Sequence, residues 1–193
     1  MNKRIILASA SPRRQQLLTQ AGIPHEVIIS GADETVTGSP AEQVKEVAMR
    51  KAKAVSQLLN SPSNTIIIAA DTLVCLKGEI MGKPATREEA FGMLKKLQGN
   101  THEVYTGVVL LKNAKATVFV DTAEVTFRPF CDEEIEAYIA TEEPFDKAGA
   151  YGIQERGAAL VDRVNGDFYT VMGLPVSKVC AALAHMGFEY WKA

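Results

Sequence analysis

The run Ser9-Ala10-Ser11-Pro12-Arg13-Arg14 places two hydroxyls and two guanidinium groups where a short apolar stretch meets a predicted helix start. A helix start leaves up to four backbone N–H groups without helical partners. Such an end binds anions. Arg13 and Arg14 fall in the first turn, where cations oppose the helix macrodipole. A bound phosphate would remove that conflict. A plain capped helix with solvated arginines accounts for the same residues. The stretch is not a Walker A loop, which needs GxxxxGK[ST].

Asp71 follows the apolar run Thr65-Ile66-Ile67-Ile68-Ala69-Ala70, at the predicted end of a buried strand, and Thr72 comes next. A carboxylate there can face a ligand crevice, hold Mg²⁺ or take a proton from water. It can equally begin a turn. Gly82-Lys83-Pro84 lies just past a predicted hairpin about Gly78. Folding the chain back there brings Lys83 toward Asp71 and Thr72, and a lysine point charge suits polyphosphate. Asp33-Glu34, in a polar loop, can supply Mg²⁺ oxygens or remain solvated. Lys51 and Lys53 read as a wet face of a long helix.

The stretch Asp146-Lys147-Ala148-Gly149-Ala150-Tyr151-Gly152-Ile153-Gln154 is loop-like. Its glycines allow a backbone to approach a ligand closely. The Gln154 amide both donates and accepts, so it fits the N3–H and carbonyl edge of uracil or thymine. Turned over, it fits cytosine as well. His25, His102 and His185 are isolated, with no HxxxH or HExxH spacing, which argues against a zinc site. No GxSxG elbow or Cys-His signature is present.

The elements that must carry these groups follow from periodicity and punctuation. Arg4 to Ala8 is predicted as a buried strand, and Ser11-Pro12 opens a helix that ends at Gly22. Val27 to Ile29 is a second strand, and 31–40 a loop. Ala41 to Leu59 is a long amphipathic helix with Val44, Val47, Ala48, Ala52, Val55 and Leu58 inside. A turn at 60–64 precedes the strand from Thr65 to Ala70. Leu73 to Leu76 and Ile80-Met81 form a hairpin. Thr86 to Leu97 is a helix with a capping box from Thr86 and Glu89. Glu103 to Leu111 and Ala116 to Phe127 are two long strands around Asn113. Cys131 to Thr141 is a helix. Ala158 to Val164 and Phe168 to Val171 form a hairpin about Asn165-Gly166, and Pro175 to Met186 is a closing helix. Early strand–helix alternation with later antiparallel pairs predicts an α/β fold with a mixed sheet. Ligands in such sheets sit beyond the carboxyl ends of the strands.

The chain has 193 residues, 21 Lys+Arg against 23 Asp+Glu, and 47% hydrophobic residues. That composition predicts one globular domain, or two small lobes sharing a core, and excludes disorder as the main state. A net charge of -2 with 7% aromatics argues against a protein that grips nucleic acid over its whole surface. Cys75, Cys131 and Cys180 are odd in number and far apart, which suits a reducing cytoplasm and three core residues. The N-terminal Asn2-Lys3-Arg4 and Ile5-Ile6-Leu7 imitate a signal peptide, but the apolar run is shorter than the roughly 7–15 residues required. No stretch approaches the roughly 20 apolar residues of a membrane span.

Taken in order, Leu7 to Arg14, Asp33-Glu34, Lys51-Ala52, Ala70-Asp71-Thr72, Gly82-Lys83-Pro84, Asp146 to Gln154 and Gly173-Leu174-Pro175 resemble the Maf-like nucleotide pyrophosphatases. The ordered set covers almost the whole chain, with no departure at a position expected to act. The resemblance implies a single Maf-like domain over 1–193. It implies a mixed, elongated twisted sheet flanked by helices, in two lobes with a central cleft, similar to inosine triphosphate pyrophosphatases. It implies hydrolysis of a nucleoside triphosphate between the α and β phosphates, with a divalent cation, Mg²⁺ or Mn²⁺. Asp71 would be the active-site acid. Ser9, Ser11, Arg14, Lys51, Lys83 and Lys147 would bind phosphate, and Glu34, Asp71 and Asp146 the metal. Arg13, Thr72 and Gln154 look like the selectivity set of the dTTP/UTP branch. The sister branch, which takes 7-methyl-GTP, has Trp, Gln and Glu there. The resemblance makes a homodimer plausible and links the family to septum formation and cell-division arrest. A nucleotide-responsive regulator is therefore the competing expectation.

Overall fold

The computed structural model describes residues 3–59, 64–113, 115–189 and 191. Most of the turn predicted at 60–64 lies outside them. Among the described residues seven strands and six α-helices form, and they follow the predicted order as far as the helix Asp132–Ile139. β1 (Arg4–Leu7), α1 (Pro12–Gln20), β2 (Glu26–Val27) and α2 (Pro40–Leu58) lead into β3 (Thr65–Leu76), β4 (Glu79–Met81) and α3 (Arg87–Leu97). β5 (Thr101–Lys112), β6 (Lys115–Phe127), α4 (Asp132–Ile139), β7 (Val161–Asn165), α5 (Phe168–Met172) and α6 (Val176–His185) complete the chain, with short 3₁₀ turns between α4 and β7.

The strands form one mixed sheet in the order β2-β1-β3-β5-β6-β7, with β4 paired to β3. β1 runs parallel to both β2 and β3, in a register that sets Ile5 opposite Ile66 and Leu7 opposite Ile68. Parallel strands are covered on both faces and therefore read as unbroken apolar runs. Ile5, Ile6, Leu7 and Ile66 to Ala70 are all buried. β3 runs on past the predicted end at Ala70 to Leu76. Asp71 and Thr72 are therefore strand residues. They and Leu73 form a half-exposed window between two buried stretches.

The chain divides into two compact units. One comprises 1–71, 106–121 and 173–193, the other 72–105 and 122–172. In the first, Ile6, Ala8, Ala48, Ala52, Val55, Ile67, Ala69, Val109 and Leu111 form a hydrophobic core. α2 lies so close to β5 that a Cβ on Gly107 would come within 2.6 Å of the Val44 carbonyl carbon. Only glycine fits there.

Local chemistry explains where prediction and structure part. The capping box sits on α2, where the Ser39 hydroxyl accepts from Glu42 N–H and the Glu42 carboxylate accepts from Ser39 N–H. On α3, Thr86 caps Glu89 N–H, but Glu89 reaches the N–H of Ala85 instead of closing a box. α4 is capped from Cys131, whose N–H donates to Glu134, and Asp132 lies inside the helix. The hairpin expected at 158–171 does not form. Asp167 accepts from Tyr169 N–H at 2.9 Å and starts α5, so the second arm is helical. Residues 156–160, at the first arm, are a 3₁₀ turn, and only Val161–Asn165 pairs with β6.

In the second unit His102 is buried at 1% exposure. Its Nε2 lies 2.8 Å from the Tyr151 hydroxyl. The imidazole stands edge-on to Phe127 and Tyr151, with ring centres 5.0 and 5.4 Å away. Burial pushes its pKa down to about 4. The folded state keeps it neutral while the unfolded chain protonates it below about 6.5. Its contribution is complete above that pH and is lost as pH falls toward 4. Between pH 7.5 and 5 the wild type should lose on the order of 2 kcal/mol through this residue. His102→Gln should show a smaller drop in urea midpoint over the same interval. Equal drops in the two proteins would refute the assignment.

Candidate functional site

Two charged clusters form, one in each unit. In the first unit, the Ser9 hydroxyl follows β1 and accepts from Ser11 N–H at 3.2 Å and from Arg14 Nη1 at 3.1 Å. Arg14 Nε donates to the Gly173 carbonyl at 2.8 Å. Ser11 occupies the N-cap position of α1, yet its own side chain makes no capping bond. Arg14 is buried, so a capped helix with two solvated arginines is excluded. Arg13 is half-buried. Burial pushes the Arg14 pKa below its ordinary value; Asp71 and Glu34 oppose that, and Arg13 adds to it. Arginine nevertheless stays charged.

Beside it, Lys51 Nζ lies 2.9 Å from Asp71 Oδ1 and 2.9 Å from Glu34 Oε1. Lys51 is 8% exposed, which corrects its expected place on a wet helical face. The helix repeat explains this. Lys51 stands seven residues after Val44, four after Val47 and three after Ala48, on the buried stripe of α2. Lys53 is exposed, as expected. The acid pair at 33–34 is divided between partners. Glu34 takes Lys51, while Asp33 accepts from Thr35 N–H at 2.9 Å and lies 3.7 Å from Arg50.

In the second unit, Thr72 follows Asp71 along β3. The β3–β4 hairpin pairs Val74 with Met81, and Lys83 follows it, exposed. The Gly82 carbonyl accepts from Gly149 N–H at 3.0 Å, which ties that turn to the 146–154 loop. Lys147 is 5% exposed. Its ammonium donates to the Glu143 carbonyl at 2.8 Å and to Asp146 Oδ1 at 2.6 Å, and lies 3.2 Å from Glu155 Oε2. A Cβ on Gly152 would stand 2.5 Å from Lys147 Cε, so a side chain there would have to displace the lysine. The Glu143 carboxylate accepts from the Tyr138 hydroxyl at 2.7 Å and from the N–H groups of Arg156 and Gly157 at 3.0 and 3.1 Å. Burial, and then that bond to Glu143, raise the Tyr138 pKa. Gln154 Nε2 donates to Glu155 Oε1 at 3.1 Å.

The structure thus joins Ser9, Ser11 and Arg14, joins Glu34, Lys51 and Asp71, and joins Asp146, Lys147 and Gln154. Glu143 and Glu155 were missed. Neither spacing nor periodicity marks a carboxylate that serves by accepting N–H groups. Among the described residues no group of three or more His, Cys, Asp or Glu could hold a metal ion. Glu34 and Asp71 do offer hard oxygen donors that already share a cationic partner. Mg²⁺ is commonly held by one or two carboxylates together with substrate phosphates. The pair fits that pattern. Among the described residues no helix is long and apolar enough to cross a membrane.

The fold is mixed α/β, and it buries three cations, Lys51 and Lys147 held by carboxylates and Arg14 by a hydroxyl and a carbonyl. Residues 4–186 match the family described as Maf-like protein, and the chain belongs to that family. It is 49% identical over 191 residues to a dTTP/UTP pyrophosphatase of Bacillus velezensis (98% of this chain, 100% of the relative). It is 45% identical over 189 residues to a dTTP/UTP pyrophosphatase of Bacillus cereus (97% and 92%). Among solved structures, the Staphylococcus aureus Ham1 protein shares the fold, with a TM-score of 0.51 at 18% identity over 93% of this chain and 100% of that one.

Lys51 is the cation in direct contact with Asp71. The Lys51 and Asp71 side chains are 10% and 14% exposed, against 61% for Glu34. Removing one partner of a buried charge pair leaves the other uncompensated, whereas an exposed partner contributes little. Lys51→Met should therefore lower stability by about 1–3 kcal/mol. Glu34→Gln should stay within about 0.5 kcal/mol of wild type. Urea midpoints decide it, and equal losses in the two variants would show that Asp71 does not need Lys51.

Proposed function

We propose that this protein hydrolyses dTTP and UTP to the nucleoside monophosphate and pyrophosphate. One observation carries the reading. Relatives at 45% and 49% identity over nearly the full chain are dTTP/UTP pyrophosphatases. The charge distribution supports it. Every strongly buried charged side chain among the described residues is a cation: Arg14, Lys51 and Lys147. Each is held by oxygens that a phosphate oxygen can replace.

In this reading Asp71 orients the attacking water and takes its proton. The water oxygen bonds to phosphorus as the phosphorus–oxygen bond of the α–β bridge breaks, and the bridging oxygen leaves with pyrophosphate. The cations Arg14, Lys51, Lys83 and Lys147 bind phosphate and offset the charge that develops on its oxygens. Ser9 and the N–H groups at the start of α1 add neutral donors. Glu34 and Asp71 would hold a divalent cation, Mg²⁺ or Mn²⁺, whose bound charge neutralises the triphosphate and favours departure of pyrophosphate. Arg13, Thr72 and Gln154 select the base. Asp71 lies inside a strand, so its backbone is already fixed before substrate arrives.

The test is a panel of dTTP, UTP, dCTP, dATP, dGTP and 7-methyl-GTP with Mg²⁺ or Mn²⁺, assayed for pyrophosphate. Wild type should release it from dTTP and UTP fastest. Asp71→Asn, which keeps the shape and removes the charge, should lower kcat about 10²-fold or more. Preference for 7-methyl-GTP would assign the sister activity. Binding of nucleotides without turnover would assign a regulator.

A further inference from the structure

Glu143 is bonded through its side chain and its main chain at once. Oε1 accepts from the Tyr138 hydroxyl at 2.7 Å and from Gly157 N–H at 3.1 Å, and Oε2 accepts from Arg156 N–H at 3.0 Å. The Glu143 carbonyl accepts from the Lys147 ammonium at 2.8 Å. The Tyr138 hydroxyl in turn accepts from Gly152 N–H at 3.1 Å. One residue therefore closes the segment 143–157 on itself. It is joined to 156 and 157 directly and to 152 through Tyr138. Tyr138 lies on the buried side of α4 with Ile135 and Ile139, so the closure is referred to a packed helix. The fit is close: a Cβ on Gly157 would stand 2.7 Å from both the Gly152 carbonyl oxygen and the Tyr138 hydroxyl.

The partners of Lys147 are unequal. Two are carboxylates, Asp146 and Glu155, whose side chains are 57% and 43% exposed. Such acids can yield to water or to another anion at small cost. The third is the Glu143 carbonyl, which belongs to the main chain and cannot swing away. It stays fixed as long as the backbone at 143 is fixed, and the carboxylate of the same residue is what fixes it.

We propose that Glu143 is a positioning residue for Lys147: its side chain closes the segment 143–157, so that its carbonyl keeps the ammonium in place while Asp146 and Glu155 are exchanged for phosphate oxygens. This rests on the pyrophosphatase reading above and adds the device that keeps one phosphate-binding cation aimed. A carboxylate suits the task because it offers acceptors only. Donors from Tyr138, Arg156 and Gly157 converge on it. A glutamine, whichever way its amide is turned, would set its NH₂ against the N–H of Arg156 or of Gly157.

The experiment is a cycle of Glu143→Gln, Lys147→Met and the double variant, read as kcat/KM for dTTP and as calorimetric affinity for pyrophosphate. Glu143→Gln should lower kcat/KM about tenfold or more, since a small misplacement of a group that meets the substrate is costly. It should also weaken pyrophosphate binding. In the Lys147→Met background the same change should cost less than about twofold, because residues acting through one contact are not additive. A residue that only supports the fold would lower both backgrounds by the same factor. That result overturns the proposal, and so does an unchanged kcat/KM in Glu143→Gln. Should Glu143→Gln fail to fold, Tyr138→Phe, which removes the hydroxyl link to Gly152, passes through the same cycle with the same two outcomes. If wild type hydrolyses neither dTTP nor UTP, the proposed function falls, while the pyrophosphate cycle still tests the hold on Lys147. If wild type hydrolyses both and the two backgrounds lose equally, only the positioning role is wrong.

Discussion

A cation taken out of water must be given a partner, and that constraint organises both units of this protein. Arg14, Lys51 and Lys147 are the charged side chains that the fold buries. Each is met by oxygen. Arg14 has the Gly173 carbonyl and the Ser9 hydroxyl. Lys51 has two carboxylates. Lys147 has a carbonyl and two carboxylates. Burying an ionised group costs several kcal/mol even after relaxation. Hydrophobic side chains of similar volume would serve stability as well or better. In the function proposed above, the cations are equipment for an anionic ligand rather than cement.

That view explains the asymmetry of their partners. Lys51 shares Asp71, which is largely buried, with Glu34, which is mostly exposed, and Lys147 shares exposed Asp146 and Glu155. Exposed acids can be given up to solvent at small cost when a phosphate takes their place. The arrangement keeps each cation paired in the free protein and leaves it able to exchange partners. Glycines protect the geometry. Gly107 lets α2 sit against β5, and Gly152 lets the Lys147 side chain pass. A bulkier residue at Gly107 would push the α2 backbone away from β5, and one at Gly152 would push the Lys147 side chain aside.

How far the sequence disclosed this depends on the kind of signal. Buried parallel strands announce themselves as apolar runs, and Ile5-Ile6-Leu7 and Ile66 to Ala70 did so. α2 showed its 3.6-residue stripe. The same stripe held the clue to Lys51, which stands in register with Val44, Val47 and Ala48, but a lysine is ordinarily assigned to water. The ordered motifs identified the family because they fall far apart along the chain and still keep their order. What stayed hidden depends on single hydrogen bonds. The Asp167 carboxylate caps Tyr169 and turns an apparent strand into α5, outweighing the Asn165-Gly166 turn. Glu143 and Glu155 act by accepting N–H groups from residues up to 14 positions away along the chain, and no periodicity reports that.

The largest departure from expectation is also the most instructive. A turn-forming Asp71 would sit on a backbone free to move, and each encounter with substrate would have to order it. Instead β3 carries Asp71 and Thr72 within continuous strand structure, with buried residues on either side of the half-exposed window. The strand thus presents a carboxylate and a hydroxyl in succession, on alternate faces of the pleat. Lys51, on a helix packed into the core, fixes the carboxylate from one side. Rigid elements on both sides of a charge pair hold it nearer a working geometry than a loop can. An apolar strand interrupted by one acid is a candidate site for that reason: the interruption costs burial, and a partner such as Lys51 makes it tolerable.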